Sequence, residues 1–319
     1  MSGSASITIS VVICTKDRPR ELERCVASVL GQTRPPSDLV VVDASARPDA
    51  GWVDAVHRAL PRCRVSLLFA RPGLPAQRNV GTRAAVGSVV VFLDDDVVLE
   101  PEYLAEIGRV YADDTTGRIG GVGGAQVPDP TPREGRVRRL AARLFLLEGY
   151  GRGIVKRSGS PEYVLSPTTP MEVEFLSGCN MSYRRDVLQE YAFDERLSGY
   201  ALGEDLQFSY RVSRRWRLLV TPRARLAHRH ASNGRPPSAT FRAMSIFNRY
   251  LFFREEVARR PLDWVAYGWA AFGDLLTRLR APRERALHGL ARGYGLVLRH
   301  ALRGALPAEQ RSREPQCPG

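Results

Sequence analysis

Val89-Val90-Val91-Phe92-Leu93, followed at once by Asp94-Asp95-Asp96, is the stretch on which the fold of this chain turns. A run of hydrophobes without polar alternation describes a strand covered on both faces, as in a parallel sheet flanked by crossover helices. The three consecutive carboxylates that end it repel one another, and packing gives no reason for them. In an open α/β sheet, ligands bind beyond the carboxyl ends of the strands. A hard divalent cation there would neutralise the acids and bridge them to phosphate oxygens. The plain alternative is an acidic turn capping the helix that begins near Pro101, and the strand ahead of the acids favours the metal.

Outward from this run the same pattern repeats. Residues 7–13 read as a buried strand and 20–30 as an amphipathic helix with Leu22, Val26 and Val29 on one face. A strand at 39–42, a helix at 52–60, a strand at 65–69 and a helix at 76–86 complete a doubly wound α/β unit. After a helix at 102–111 the signal changes. Residues 119–127 are glycine-rich and β-like, and prolines break them at 128–132. The basic stretch 133–157, with an apolar patch at 144–147, reads as an insertion or mobile lid. A strand at 173–176, helices at 184–190 and 204–214, and a strand at 218–220 follow. Residues 238–306 are helical in pattern, rich in Arg, Trp, Tyr and Phe, and 307–319 read as a disordered tail.

The chain has 319 residues, 44% hydrophobic and 25% charged, enough for a substantial core. Its net charge of +13 favours anionic partners, whether nucleotide phosphates, nucleic acid or an acidic membrane, without choosing among them. The cysteines, Cys14, Cys25, Cys63, Cys179 and Cys317, are odd in number and form no CxxC pair. Neither a zinc module nor a disulfide framework is expected, and a reducing cytosol is the simplest home. The first six residues lack the features of a signal peptide. No apolar run reaches the ~18 residues expected of a membrane-spanning helix.

Other residues carry chemistry in combination. Asp43 ends the strand Val40-Val41-Val42, which puts carboxylates at two strand ends on one edge. Alone it would read as a turn residue. Arg78-Asn79 stands at a helix start, where anions gather and a guanidinium can pair with phosphate or stack on a base. In Gly199-Tyr200-Ala201-Leu202-Gly203-Glu204-Asp205, two acids open a helix. The helix dipole stabilises them, and the same dipole keeps a carboxylate ionised as a general base requires. His228 and His230 alternate on an extended segment, so one at most faces a given site. In Ser177-Gly178-Cys179-Asn180, small residues let backbone amides approach a ligand, and Cys179 reads as a buried inert thiol rather than a nucleophile.

These pieces, in this order, resemble the family 2 glycosyltransferases of the GT-A fold, of the rhamnosyltransferase-like type that builds bacterial cell-surface polysaccharides. The likeness runs from Ile9 to about Asn233. It rests on Val11-Val12-Ile13-Cys14-Thr15-Lys16-Asp17-Arg18-Pro19, Val41-Val42-Asp43, Arg78-Asn79-Val80-Gly81 and Phe92-Leu93-Asp94-Asp95-Asp96. It continues through Phe175-Leu176-Ser177-Gly178-Cys179-Asn180, Phe193-Asp194-Glu195, Gly203-Glu204-Asp205 and His228. Each motif is weak alone, and the ordered set is specific.

The resemblance implies an α/β GT-A nucleotide-sugar-binding fold, a doubly wound mixed sheet with a C-terminal helical extension. It divides the chain into a catalytic domain at 1–235, a possibly membrane-associating helical extension at 236–306 and the tail at 307–319. Thr15, Asp17, Asp43, Arg78, Asn79, Asp94, Asp95, Gly178 and Asn180 would bind the donor, with base and ribose at Thr15 and Asp43 and with Asp95 facing the ribose. Asp94 to Asp96 looks like the family's DxD motif, so Asp96 with Asp94 and His228 would bind Mg²⁺ or Mn²⁺ at the diphosphate, His230 being the fallback. Asp205 would be the base and Glu204 would support the acceptor.

The partners implied are a UDP- or dTDP-sugar and a glycan or lipid-linked acceptor. The basic, aromatic-rich stretch 263–279 suits an anionic membrane surface, as does a cytoplasmic enzyme lying on the inner face of the plasma membrane. Cys14 stands where a proline is common before Thr15, Tyr191-Ala192-Phe193 where Gly-Gly-Phe is frequent, and Cys179 where a glycine often sits. A sugar nucleotidyltransferase would show a Gly-rich phosphate loop after the first strand, and Cys14-Thr15-Lys16-Asp17-Arg18 is not one. A nucleic-acid binder would leave the strand-end acids unexplained and would show a recognisable motif, so nucleic acid is not an expected partner. A non-catalytic scaffold would not need Asp96 and Asp205.

Overall fold

A computed structural model describes residues 7–48, 50–132, 135–197, 201–229, 237–279 and 284–305. His230, Gly199, Tyr200 and the tail expected at 307–319 lie outside them. The amino-terminal half alternates β1 (Ile9–Thr15), α1 (Pro19–Leu30), β2 (Asp38–Asp43), α2 (Gly51–Ala59), β3 (Arg64–Phe69), α3 (Leu74–Ala84) and β4 (Val89–Asp94). The strands run parallel in the order β4-β1-β2-β3. Successive side chains of a strand face opposite sides, and here both sides are buried. Val11, Ile13, Leu39, Val41, Val91 and Leu93 enter one core with α1 and α2, while Val12, Val40, Val42, Val90 and Phe92 enter another. This double burial is why the strands read as unbroken apolar runs. Helix α3 lies close on the sheet at Gly81, where a Cβ would come within 2.3 Å of Val12 Cγ1.

The rest of the sheet is mixed. The chain continues as β5 (Val97–Leu99), α4 (Tyr103–Ala112), β6 (Ile119–Gln126), α5 (Arg136–Leu144), β7 (Gly149–Tyr150), β8 (Ile154–Val155), β9 (Pro161–Tyr163), β10 (Met171–Val173) and β11 (Asn180–Arg184). Then come α6 (Arg185–Glu190), α7 (Glu204–Ser213), β12 (Arg217–His228), α8 (Ser238–Phe252), a π-helical turn (Phe253–Val257), α9 (Pro261–Leu279) and α10 (Glu284–Ala305). The full order is β10-β12-β6-β11-β4-β1-β2-β3, with β5 paired to β12. β11 runs antiparallel to both β4 and β6, and β12 runs parallel to β6. The architecture is that of a GT-A nucleotide-sugar-binding fold, with helices α8 to α10 following it.

Three details differ from the sequence reading. The strand expected at 173–176 ends at Val173, and Phe175 and Leu176 are buried in a loop by side-chain packing alone. The chain re-enters the sheet at β11, which no apolar run announces. Its polar residues are satisfied inside: Asn180 Oδ1 accepts from the Gly124 N–H at 2.8 Å, and Ser182 Oγ donates to the Val122 carbonyl at 2.6 Å. The third is β12, which runs through Pro222 to His228 with a register shift between Thr221 and Arg225, so His228 lies on a strand and not beyond one. The stretch 133–157 contains α5, β7 and β8, the strands pairing with β9 in a small sheet.

Candidate functional site

The parallel register brings the acids to one level. Thr15 lies opposite Asp43 and Cys14 opposite Asp94 at the carboxyl ends of β1, β2 and β4. Thr15 Oγ1 donates to Asp95 Oδ2 at 2.8 Å, and Arg18 Nη1 donates to Asp95 Oδ1 at 3.1 Å. Burial pushes the Asp95 carboxyl up to about 6, the Thr15 hydroxyl and Arg18 pulling the other way. Gln77 stitches the rim, its Nε2 donating to the carbonyls of Thr15 and Val42, both at 2.9 Å. Asp43 is buried and accepts from the Ser45 N–H at 2.7 Å. Asp17, exposed and in the left-handed region at φ 55°, offers its N–H to Ser45 Oγ.

Asp94, Asp96 and His228 come together, with one donor atom from each within 4.8 Å of the others. His228 Nε2 lies 2.9 Å from Asp96 Oδ1. Burial alone would lower the imidazolium pKa, but hydrogen bonding to Asp96 and Cys179 and the charge of Asp94 raise it to about 11. For Asp94 the largest effect is burial, which raises its pKa, and Arg78 and His228 oppose it. The pocket therefore calls for positive charge. Two carboxylates and an imidazole, close together and largely shielded from water, fit a divalent cation of the Mg²⁺ or Mn²⁺ kind.

Arg78 is 1% exposed, and its guanidinium bonds to groups inside the protein. It is paired with Glu204 through Nη1, while Nη2 reaches Asp94 Oδ1 at 3.2 Å and the Gly178 carbonyl at 2.9 Å. One side chain thus ties the end of β4 to the start of α7. Asp205 Oδ2 accepts from the Gly178 N–H at 2.8 Å, and a Cβ at Gly178 would come 3.1 Å from both Arg78 Nη2 and Asp205 Cβ. Gly203, at φ 86°, turns the chain into the helix. Glu204 is 4% exposed, and its Oε2 has no hydrogen-bond partner among the described residues.

Other expected residues face elsewhere. Asn79 bonds the backbone N–H and carbonyl of Phe193 and Glu195 Oε1, fastening α3 to that loop. Asn180 joins β11 to β6. Cys179 is buried, with its sulfur 3.4 Å from Gln126 Nε2. Cys14, Cys25 and Cys63 are free and buried, and burial pushes Cys14 up to about 12. Three residues at the site went unassigned from sequence: Arg18 on Asp95, Gln77 on the rim, and Gln126 beside Cys179. Arg18 stands inside a quoted motif and Gln77 directly before one, but nothing local signals their partners.

A cleft of about 760 Å³ opens beside Asp96 and His228. Glu21, Arg24, Gln126 and Pro128 also line it, whereas Thr15, Asp43 and Asp205 do not. Its size is in the range of small-molecule sites.

The profile of a family described as glycosyl transferase family 2 matches residues 10–192. A glucosyl-dolichyl phosphate glucuronosyltransferase of Haloferax volcanii is 29% identical over 191 residues, covering 57% of this chain and 54% of its own. The O-antigen biosynthesis protein RfbC of Myxococcus xanthus is 28% identical over 256 residues, covering 71% of this chain and 18% of its own. The chain therefore spans about half of the first relative and a smaller share of the second. Among solved structures, the mannosyltransferase PcManGT of Pyrobaculum calidifontis, in complex with GDP-Man and Mn²⁺, superposes with a TM-score of 0.54 at 18% identity, over 94% of this chain and 83% of that one.

Proposed function

The chain belongs to glycosyl transferase family 2, and on that premise we propose the reaction it performs. It moves a hexosyl or deoxyhexosyl group from a UDP- or dTDP-sugar to a hydroxyl of a glycan or lipid-linked acceptor, with inversion and with Mg²⁺ or Mn²⁺, in cell-envelope polysaccharide synthesis. The observation that carries this reading is the buried guanidinium of Arg78, which joins Asp94 at the end of β4 to Glu204 beside Asp205. A binding rim and a base are thereby fixed relative to one another. The activities of the relatives support the class, the O-antigen protein supports the envelope setting, and the neighbour with GDP-Man and Mn²⁺ supports a nucleotide-sugar and metal.

Asp94, Asp96 and His228 would hold the ion, which supplies positive charge to the departing diphosphate. The chain's own residues do the rest. Asp95, oriented by Thr15 and Arg18, binds the ribose, with Asp43 at the base end of the rim. Asp205 keeps Oδ2 on the Gly178 N–H and takes the acceptor's hydroxyl proton at Oδ1. The acceptor oxygen then bonds to the anomeric carbon as the opposite carbon–oxygen bond breaks and its electron pair leaves with the diphosphate. Glu204, anchored by Arg78 through Oε1, offers Oε2 to an acceptor hydroxyl. Residues 1–235 would carry the catalysis and 236–306 would rest at the inner face of the plasma membrane.

The test is a calorimetric titration of UDP-, dTDP- and GDP-sugars, with and without Mn²⁺, on wild type and Asp96→Ala. The reading expects metal-dependent binding of one donor, lost in the variant. Metal-independent binding, or binding unchanged in Asp96→Ala, contradicts the metal assignment.

A further inference from the structure

Helix α5 turns its apolar side away from the protein. Val137, Leu140 and Leu144 fall at i, i+3 and i+7, one stripe of a helix, and are 77%, 68% and 59% exposed. Ala142, the buried residue of the helix, lies on the opposite side at 3.6 residues per turn. The helix also carries Arg136, Arg138, Arg139 and Arg143 and no acid. Helix α9 is built the same way. Leu262, Val265, Trp269, Phe272 and Leu276 repeat along one side, each at least 38% exposed, while Ala266, Tyr267, Ala270 and Asp274 are buried on the other.

The two stripes meet. The ring of Phe145, just after α5, lies 5.0 Å from that of Trp269 and 6.3 Å from that of Phe272. Trp269 Nε1 donates to the Leu144 carbonyl at 2.8 Å. Phe145 also occupies the space a Cβ on Gly273 would need.

Scattered apolar residues on a surface need no explanation, but two adjoining stripes make a patch that marks an interaction surface. The charge at its rim selects the occupant. α5 is arginine-rich, and exposed Arg259 and Arg260 stand just before α9. A second copy would bring like charges together. Anionic headgroups would meet them with opposite charge, while leucine, tryptophan and phenylalanine enter the boundary beneath. No described helix is long and apolar enough to cross a membrane, so such a face would lie along a bilayer.

We infer that α5 and α9 together form the docking face of this protein for an anionic lipid surface. This extends the proposed function, which considered membrane contact for the C-terminal helices alone, and it rests on the reading of an envelope acceptor. The segment that enters α5 begins at Val127 and Pro128, in the wall of the cleft beside Asp96 and His228.

The test floats the full chain with phosphatidylcholine vesicles, with and without phosphatidylglycerol, at low and high salt. Wild type should float with the anionic vesicles at low salt. Leu140→Glu with Leu144→Glu, and separately Val265→Glu, should each lower the bound fraction about tenfold or more with thermal melting unchanged. Flotation that the variants leave intact, or no flotation of wild type, overturns the inference. A wild-type dimer in sedimentation equilibrium that the same variants dissociate, without vesicle binding, assigns the face to a second copy and also overturns it. Donor titration on the same samples separates the two readings. Loss of flotation with donor binding retained is the expected behaviour of the variants, and vesicle binding by a wild type that binds no donor would remove the catalytic reading while leaving the face.

Discussion

Strands β1, β2 and β4 on one side of the sheet, and β6, β11 and β12 on the other, share one structure but bury their backbones differently. The first group fills both faces with Val, Ile, Leu and Phe. In the second, β6 is Ile-Gly-Gly-Val-Gly-Gly-Ala-Gln and every residue of it is buried. Its glycines make room for neighbours: a Cβ at Gly121 would come 2.8 Å from Leu218 Cδ2, and one at Gly124 would come 2.4 Å from the Ala224 carbonyl oxygen. β11 spends polar side chains on internal hydrogen bonds instead. The division extends to the site. The parallel strands supply Thr15, Asp43 and Asp94 to Asp96, and the mixed side supplies Gly178, Asp205 and His228. Arg78 reaches an acid on each side, Asp94 and Glu204.

The link between the two sides is cut at Arg78. Arg78→Met would leave Glu204 and Asp94 without their buried cation, at a cost of about 3–5 kcal/mol, read by urea unfolding. Arg78→Lys should recover part of the loss, since it keeps a charge without the two-pronged reach. A variant as stable as wild type would mean the two sides are not joined there.

A smaller link is Asp114, which ties the segment after α4 to β6 and β11. Burial alone would raise the Asp114 pKa, but hydrogen bonds from the Ile119 N–H, Thr116 and Arg184 outweigh it and hold the carboxyl at about 2 against 3.8 unperturbed. A depressed carboxyl stabilises above its unfolded pKa, and the contribution is lost as pH falls through the folded value. Asp114→Asn should thus cost about 2 kcal/mol near neutral pH. Its deficit against wild type should close as pH drops from 3.8 to about 2. A deficit independent of pH would assign the loss to packing.

The same difference explains what the sequence revealed. The apolar runs of β1, β2 and β4 and the acids that end β2 and β4 are local signals, and they placed the rim. Asp205 and His228 were legible as isolated acid and imidazole, but their meeting with the rim depends on β11 and β12. β11 hid because Asn180, Ser182 and Arg184 look solvent-facing until Gly124, Val122 and the Ile119 carbonyl are beside them. β12 hid behind Pro222, which a long strand accommodates only with its register shift. Arg78 was legible as a cation at a helix start. That it would be buried between two acids, one of them far along the chain, was not.

The proposed mechanism stands on Asp205 as the base and on a parallel rim that binds the donor independently of it. The measurement that tests this most directly pairs donor affinity with turnover of the bound sugar nucleotide, in the presence of Mn²⁺, for wild type and Asp205→Asn. Donor affinity should be unchanged and turnover lowered on the order of 10²–10⁴-fold. Turnover at the wild-type level, or donor affinity lost together with turnover, would contradict it.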